Sequence, residues 1–345
     1  MWGREEIEAT RQRTKEFVFT TPLVRLNVHS NELPPHTEIF LKLETLQPIG
    51  SFKIRGAAAK ITTLPSSVKG VWTASAGNMA QGVCQMAKAK GLEAVVVAPE
   101  SAPTAKLRAI ERLGGRVIVV SFEEWWTTMQ SRWFGGLEQF HFIPAFDDED
   151  VMMGNATMVA EIAEQLPSVT TILTPWGGGG LTCAVARAVR SYFPSIHHSD
   201  EEVHWSNDRN NDRNNDRNNG VRVYATEVAT AAPLNAAFTA GQPIQIQPIK
   251  SFVDGIGSPC VFAHMFERAK SEGVKGSLVA ELNEIEYAIK LIAERNHVIC
   301  EGAGASTVAC ALAGKAGSGN IVCVLSGANI NLDVLSSILS PSFPS

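Results

Sequence analysis

Short apolar runs separated by longer alanine-rich stretches set the strongest limit on how this chain can fold. The runs at 39–43, 94–98, 117–120, 171–175, 221–225 and 321–325 are rich in β-branched residues and continuous rather than alternating. A strand reads that way when both of its faces are covered. The stretches at 79–90, 103–113, 156–166, 181–192, 285–294 and 305–313 instead carry apolar residues at helical spacing. Pro103 near one helix start and Gly114-Gly115 at its end are the usual punctuation. Such alternation predicts an α/β fold with largely parallel, twisted sheets flanked by helices.

At 345 residues and 45% hydrophobic composition, the chain can bury two cores, so two domains are expected. Residues 41–146 read as a small domain, and residues 1–40 with 147–345 as a large one. Residues 197–220 stand apart: a polar run with His197 and His198 precedes three copies of Asn-Asp-Arg-Asn between Asn207 and Asn218. With almost nothing to bury, this reads as a disordered low-complexity surface insert. His197, His198 and His204 in so polar a setting read as solvated rather than metal-binding.

The net charge of −5 and the scattered Lys and Arg argue against a nucleic-acid partner. No apolar run approaches the roughly 20 residues that span a bilayer. The opening Met1-Trp2-Gly3-Arg4-Glu5-Glu6 lacks a signal peptide's apolar stretch. The six cysteines, Cys84, Cys183, Cys260, Cys300, Cys310 and Cys323, lie far apart and mostly in apolar segments. They read as reduced core residues, and a soluble cytoplasmic protein with no membrane partner is expected.

Three local patterns carry chemistry. Lys53, in Ser51-Phe52-Lys53-Ile54-Arg55-Gly56-Ala57, sits among apolar and small neighbours at an expected helix start, where desolvation would favour its neutral, nucleophilic amine. Such an amine can form a Schiff base, although a lone lysine is more often an ordinary surface residue. Ser75, Ala76, Gly77 and Asn78 join a strand-like run to a helix, leaving N–H groups open to a carboxylate; a plain N-cap loop has the same composition. Gly177, Gly178, Gly179 and Gly180, followed by Leu181, form a strand-to-helix turn whose N–H groups can converge on a phosphate. Neither a dinucleotide fingerprint nor a nucleotide P-loop is present.

Together these residues resemble the fold type II pyridoxal-phosphate enzymes, the tryptophan synthase β-like fold, and within them the serine/threonine dehydratase group. The similarity runs from Thr21-Pro22-Leu23 to Asp333, apart from the polar insert. The resemblance implies pyridoxal 5'-phosphate as cofactor, with Lys53 as the Schiff-base and catalytic lysine and Phe52 against the cofactor ring. It also implies Asn78 on the ring hydroxyl, Gly177, Gly178, Gly179, Gly180 and Leu181 around the phosphate, and Ser326 of Leu325-Ser326-Gly327-Ala328-Asn329 facing the pyridine nitrogen. Ser75, Ala76, Gly77 and Asn78 would hold the substrate carboxylate. A neutral hydroxyl partner tempers the cofactor as an electron sink, favouring β-elimination over transamination.

Departures from the group narrow the expectation. The related serine racemases have a second serine where Ala76 stands, used as acid and base on the opposite face. The group usually has His where Met79 follows Asn78. Its metal site is marked by an acidic residue several positions beyond a Glu; here Ala231, Ala232 and Pro233 follow Glu227, so no metal is expected. The resemblance thus implies a carbon–oxygen lyase, an ammonia-lyase acting on serine, threonine or a β-aryl serine such as 3-phenylserine, working as a homodimer. A racemase or β-replacement enzyme of the same fold, and a non-catalytic carrier of the cofactor, are the alternatives. Trp125, Trp126, Trp133, Phe134, Phe140 and Phe142 crowd one segment; they would line an enlarged pocket or fill the core of the small domain or a dimer interface.

Overall fold

The computed structural model describes residues 2–193 and 220–340, so the Asn-Asp-Arg-Asn repeat and His197, His198 and His204 lie outside the described residues. Among the described residues there are ten strands: β1 (Leu23–Arg25), β2 (Thr37–Lys42), β3 (Gly70–Ala74), β4 (Glu93–Pro99), β5 (Arg116–Val120), β6 (His141–Phe142), β7 (Thr171–Pro175), β8 (Arg222–Val228), β9 (Ser277–Ala280) and β10 (Gly319–Val324). They form a six-stranded sheet in the order β1-β2-β10-β7-β8-β9 and a four-stranded sheet in the order β5-β4-β3-β6. Only β1 pairs antiparallel. The α/β class with parallel sheets is therefore the observed one.

The helices are α1 (Arg4–Thr14), α2 (Lys53–Ile61), α3 (Asn78–Lys90), α4 (Thr104–Arg112), α5 (Phe122–Ser131), α6 (Glu149–Gln165), α7 (Gly180–Tyr192), α8 (Pro233–Ala240), α9 (Ala263–Ser271), α10 (Leu282–Leu291), α11 (Gly302–Leu312) and α12 (Leu332–Leu339). Both sheets are covered on both faces, which is why their strands read as continuous apolar runs. In β4, Ala94, Val96 and Ala98 join the core that includes Met79, Val83 and Met86 of α3. Val95 and Val97 point the other way, into a core with Trp72, Ala74 and the half-buried Trp125 of α5. The larger sheet follows the same rule. Val322 and Val324 pack with α6, α7 and α9, while Ile321 and Cys323 pack with α10, α11 and α12.

Some expected boundaries shift. A domain limit between 40 and 41 falls inside β2, because pairing with β10 continues to Lys42 opposite Val324. The helix expected from 156 begins at Glu149, where Asp148 accepts hydrogen bonds from the N–H groups of Asp150 and Val151. The helix expected at 285–294 is α10 with a π-helical turn, Ile292–Asn296, behind it. The aromatic segment divides: Phe134, Phe140 and Phe142 pack against the small-sheet core, whereas Trp133 is exposed.

Candidate active site

The carboxyl ends of β3, β7 and β10 lead into one cavity of about 400 Å³, the position where open parallel sheets take their ligands. Phe52, Lys53, Ser75, Ala76, Gly77, Asn78, Gly177, Gly178, Gly179, Gly180, Leu181 and Ser326 all line it, so the residues expected at the cofactor and the substrate carboxylate come to one place.

Lys53 is the first residue of α2, and the turn that delivers it is stitched to the segment after β10. Phe52 N–H donates to the Ser326 carbonyl at 3.0 Å, Ala328 N–H donates to the Gly50 carbonyl at 2.8 Å, and Ser51 bridges Gly327. Lys53 Nζ donates to the Ala145 carbonyl at 2.6 Å and lies 5.2 Å from the Phe52 ring centroid. Burial pushes the ammonium's pKa down to about 8.

α2 is anchored from behind by a buried set of charges. The Arg55 guanidinium donates to Glu44 Oε2 at 2.8 Å and to Glu161 Oε1 at 2.7 Å. Lys42 Nζ reaches Glu161 Oε2 at 2.6 Å and the Thr21 carbonyl at 2.7 Å. Two cations and two carboxylates balance, and all four residues are buried. They join β2, α2 and α6, so the lysine rides on a fixed support.

The glycine turn is built for close approach. Gly179 has φ +89, which glycine adopts without strain. Side chains at Gly178 and Gly180 would strike Phe146, and one at Gly179 would strike the Trp176 ring. From Gly177 to Thr182, no backbone N–H has an acceptor among the described residues. Those donors, at the positive end of the 13-residue α7, suit a phosphate. The first N–H groups of α3, on Asn78, Met79 and Ala80, are likewise without acceptors among the described residues. They suit a carboxylate.

Asn78 is oriented from two sides. Its Nδ2 donates to Glu301 Oε1 at 2.9 Å and its Oδ1 accepts from Asn329 Nδ2 at 2.7 Å, leaving one amide hydrogen for a ligand. Glu301 escaped the sequence reading; its signal was faint, an acidic residue ahead of the small residues that open α11. Burial pushes its carboxyl up to about 7, with the Lys106 ammonium pulling the other way. Lys106 and Asp254, also missed, pair at the edge of the same cavity. The Ser326 side chain is buried, lines the cavity and has no hydrogen-bond partner among the described residues. Amine, phosphate-type donors, an oriented amide and a free hydroxyl are the set that pyridoxal phosphate requires, and the residues fit it.

A cation site at Glu227 does not fit. Its carboxylate accepts from Leu234 N–H and Asn235 N–H, each at 2.8 Å, and from Ser277 Oγ at 2.6 Å. It caps α8, and Ala231 and Pro233 add no oxygen side chain.

Comparison with known proteins agrees with this chemistry. The family model described as pyridoxal-phosphate dependent enzyme matches residues 14–327. The catabolic L-threonine dehydratase TdcB of Staphylococcus aureus is 31% identical over 343 residues, 97% of this chain and 91% of the relative. Among solved structures, serine racemase from Dictyostelium discoideum superposes with a TM-score of 0.77 at 27% identity, over 96% of this chain and 99% of that one. Threonine deaminase isoform 2 from Solanum lycopersicum, in its processed form, gives 0.77 at 26% identity over 98% and 93%.

Proposed function

The chain belongs to the pyridoxal-phosphate-dependent enzyme family, and on that premise we propose that it eliminates water from a 3-hydroxy amino acid to release a 2-aminoacrylate, which takes up water again on hydrolysis and gives a 2-oxo acid and ammonia. Serine, threonine and β-aryl serines are the candidate substrates. What supports this most is the company Lys53 keeps: an amine with its pKa lowered to about 8 faces the same cavity as two acceptor-free helix N-termini.

When bound, the cofactor withdraws electrons from the substrate's α-carbon. Lys53 Nζ would hold the cofactor and, once released, take the α-proton as a base at short range. The 177–182 N–H groups would hold the phosphate, Asn78 the ring hydroxyl and Phe52 the ring face. Ser326 would place a neutral hydroxyl at the ring nitrogen. The 75–78 loop would bind the substrate carboxylate and so fix the α-hydrogen toward Lys53. Ala76 offers no proton on the opposite side, and Glu301 is committed to Asn78, which favours elimination over racemisation. The threonine dehydratase and threonine deaminase relatives are in keeping with this activity.

A homodimer is proposed as the working form; light scattering would then give twice the 37.2 kDa of one chain. No helix among the described residues is long and apolar enough to cross a membrane. All six cysteines are free, five of them buried, and a reducing cytoplasm is the proposed setting.

The deciding experiment incubates the holoenzyme with serine, threonine and 3-phenylserine and follows 2-oxo acid and ammonia. Both should be released in equal amounts. Formation of the opposite enantiomer alone would indicate a racemase, and absence of any product a carrier.

A further inference from the structure

Beside the main cavity lies an apolar chamber of about 140 Å³ that shares the walls Trp125, Phe146, Gly177 and Gly178 with it. Its remaining lining includes Trp126, Trp176, Val261 and Phe262. The Trp126 and Phe262 rings stack at 5.9 Å with 19° between their planes, and Phe262 and Phe146 at 5.7 Å with 16°. These contacts hold the rings against one another and give the chamber an aromatic, apolar lining.

An apolar space of roughly 150 Å³ has room for one benzene ring, and water ordered in it needs about two to four polar partners. The chamber offers few: Ser258 Oγ, in its lining, already donates to the Cys260 carbonyl at 2.9 Å. The hydroxymethyl group of serine or the extra methyl of threonine would leave such a space unfilled. A phenyl ring would fill it against that apolar, aromatic lining.

We propose that this chamber is the side-chain subsite of the enzyme and that its substrate is a 3-hydroxy amino acid bearing an aryl group on the β-carbon. This rests on the elimination proposed above and adds its substrate class.

Turnover and binding test it separately. For the holoenzyme, kcat/KM for 3-phenylserine should exceed that for serine and threonine by roughly tenfold to a hundredfold, the factor expected from burying one ring. Phenylalanine, which has no β-hydroxyl to lose, should bind more tightly than alanine by a similar factor, read from the change in cofactor absorbance on titration. Val261→Phe, which fills the chamber, should lower both preferences at least tenfold. Turnover of serine or threonine with no preference for 3-phenylserine would overturn the subsite and leave the elimination intact. Equal binding of phenylalanine and alanine would overturn it as well, whether or not any substrate turns over. A retained phenylalanine preference with no turnover of any of the three would sustain the subsite and remove the elimination.

Discussion

Lys53 differs from an ordinary lysine because its ammonium has lost water. With a pKa of about 8, about a tenth of it is neutral at pH 7, against less than a thousandth for an exposed lysine. Glu301 is shifted by the same burial in the opposite sense. Its folded pKa of about 7 stands above the ordinary 4.5 of a glutamate, so the folded chain keeps a proton that the unfolded chain releases between those values. The resulting stability is complete below about pH 4.5 and disappears as pH rises through 7. Glu301→Gln removes this dependence. The melting temperature of the variant relative to the wild type should climb by a few degrees between pH 5 and pH 8, read by calorimetry at matched ionic strength. A difference that stays flat with pH would show that Glu301 does not titrate there.

At the scale of elements, the support under α2 decides whether Lys53 stays in place. α2 and α6 meet closely at Gly154, where a Cβ would run into the Arg55 carbonyl. Gly154→Ala should therefore cost about 1–3 kcal/mol and weaken cofactor retention, since the displaced helix carries Lys53. Arg55→Met leaves Glu44 and Glu161 sharing Lys42 alone in a buried setting; the expected loss is about 3–5 kcal/mol, measured by denaturant unfolding. The long apolar strands and amphipathic helices were legible because burial on two faces writes itself into consecutive residues, as at β4 and β7. β6 and β9 were not, being two and four residues long and defined by pairing with distant chain. The three loops of the cavity were visible through their small residues. Glu301 was not, because its partner Asn78 is 223 positions away. Lys42, Glu44 and Glu161 were missed for the same reason: local sequence does not record which charges will meet inside.

The whole molecule places its ligand site where two sheets offer loops to each other. Lys106, at the start of α4 on the small-sheet side, pairs with Asp254 from the segment before α9, and both line the cavity. The pair is partly exposed, with side chains 14% and 42% accessible, so it is worth no more than about 1 kcal/mol. Asp254→Asn should raise KM by up to about fivefold with little change in kcat, measured at saturating cofactor. Lys53 is proposed as the one lysine that carries the cofactor. Borohydride reduction of the holoenzyme, followed by proteolysis and peptide mass spectrometry, tests it directly. The pyridoxyl mass is expected on the peptide containing Lys53 and should be absent from Lys53→Ala; recovery of the label on another lysine, or its persistence in the variant, would contradict the account.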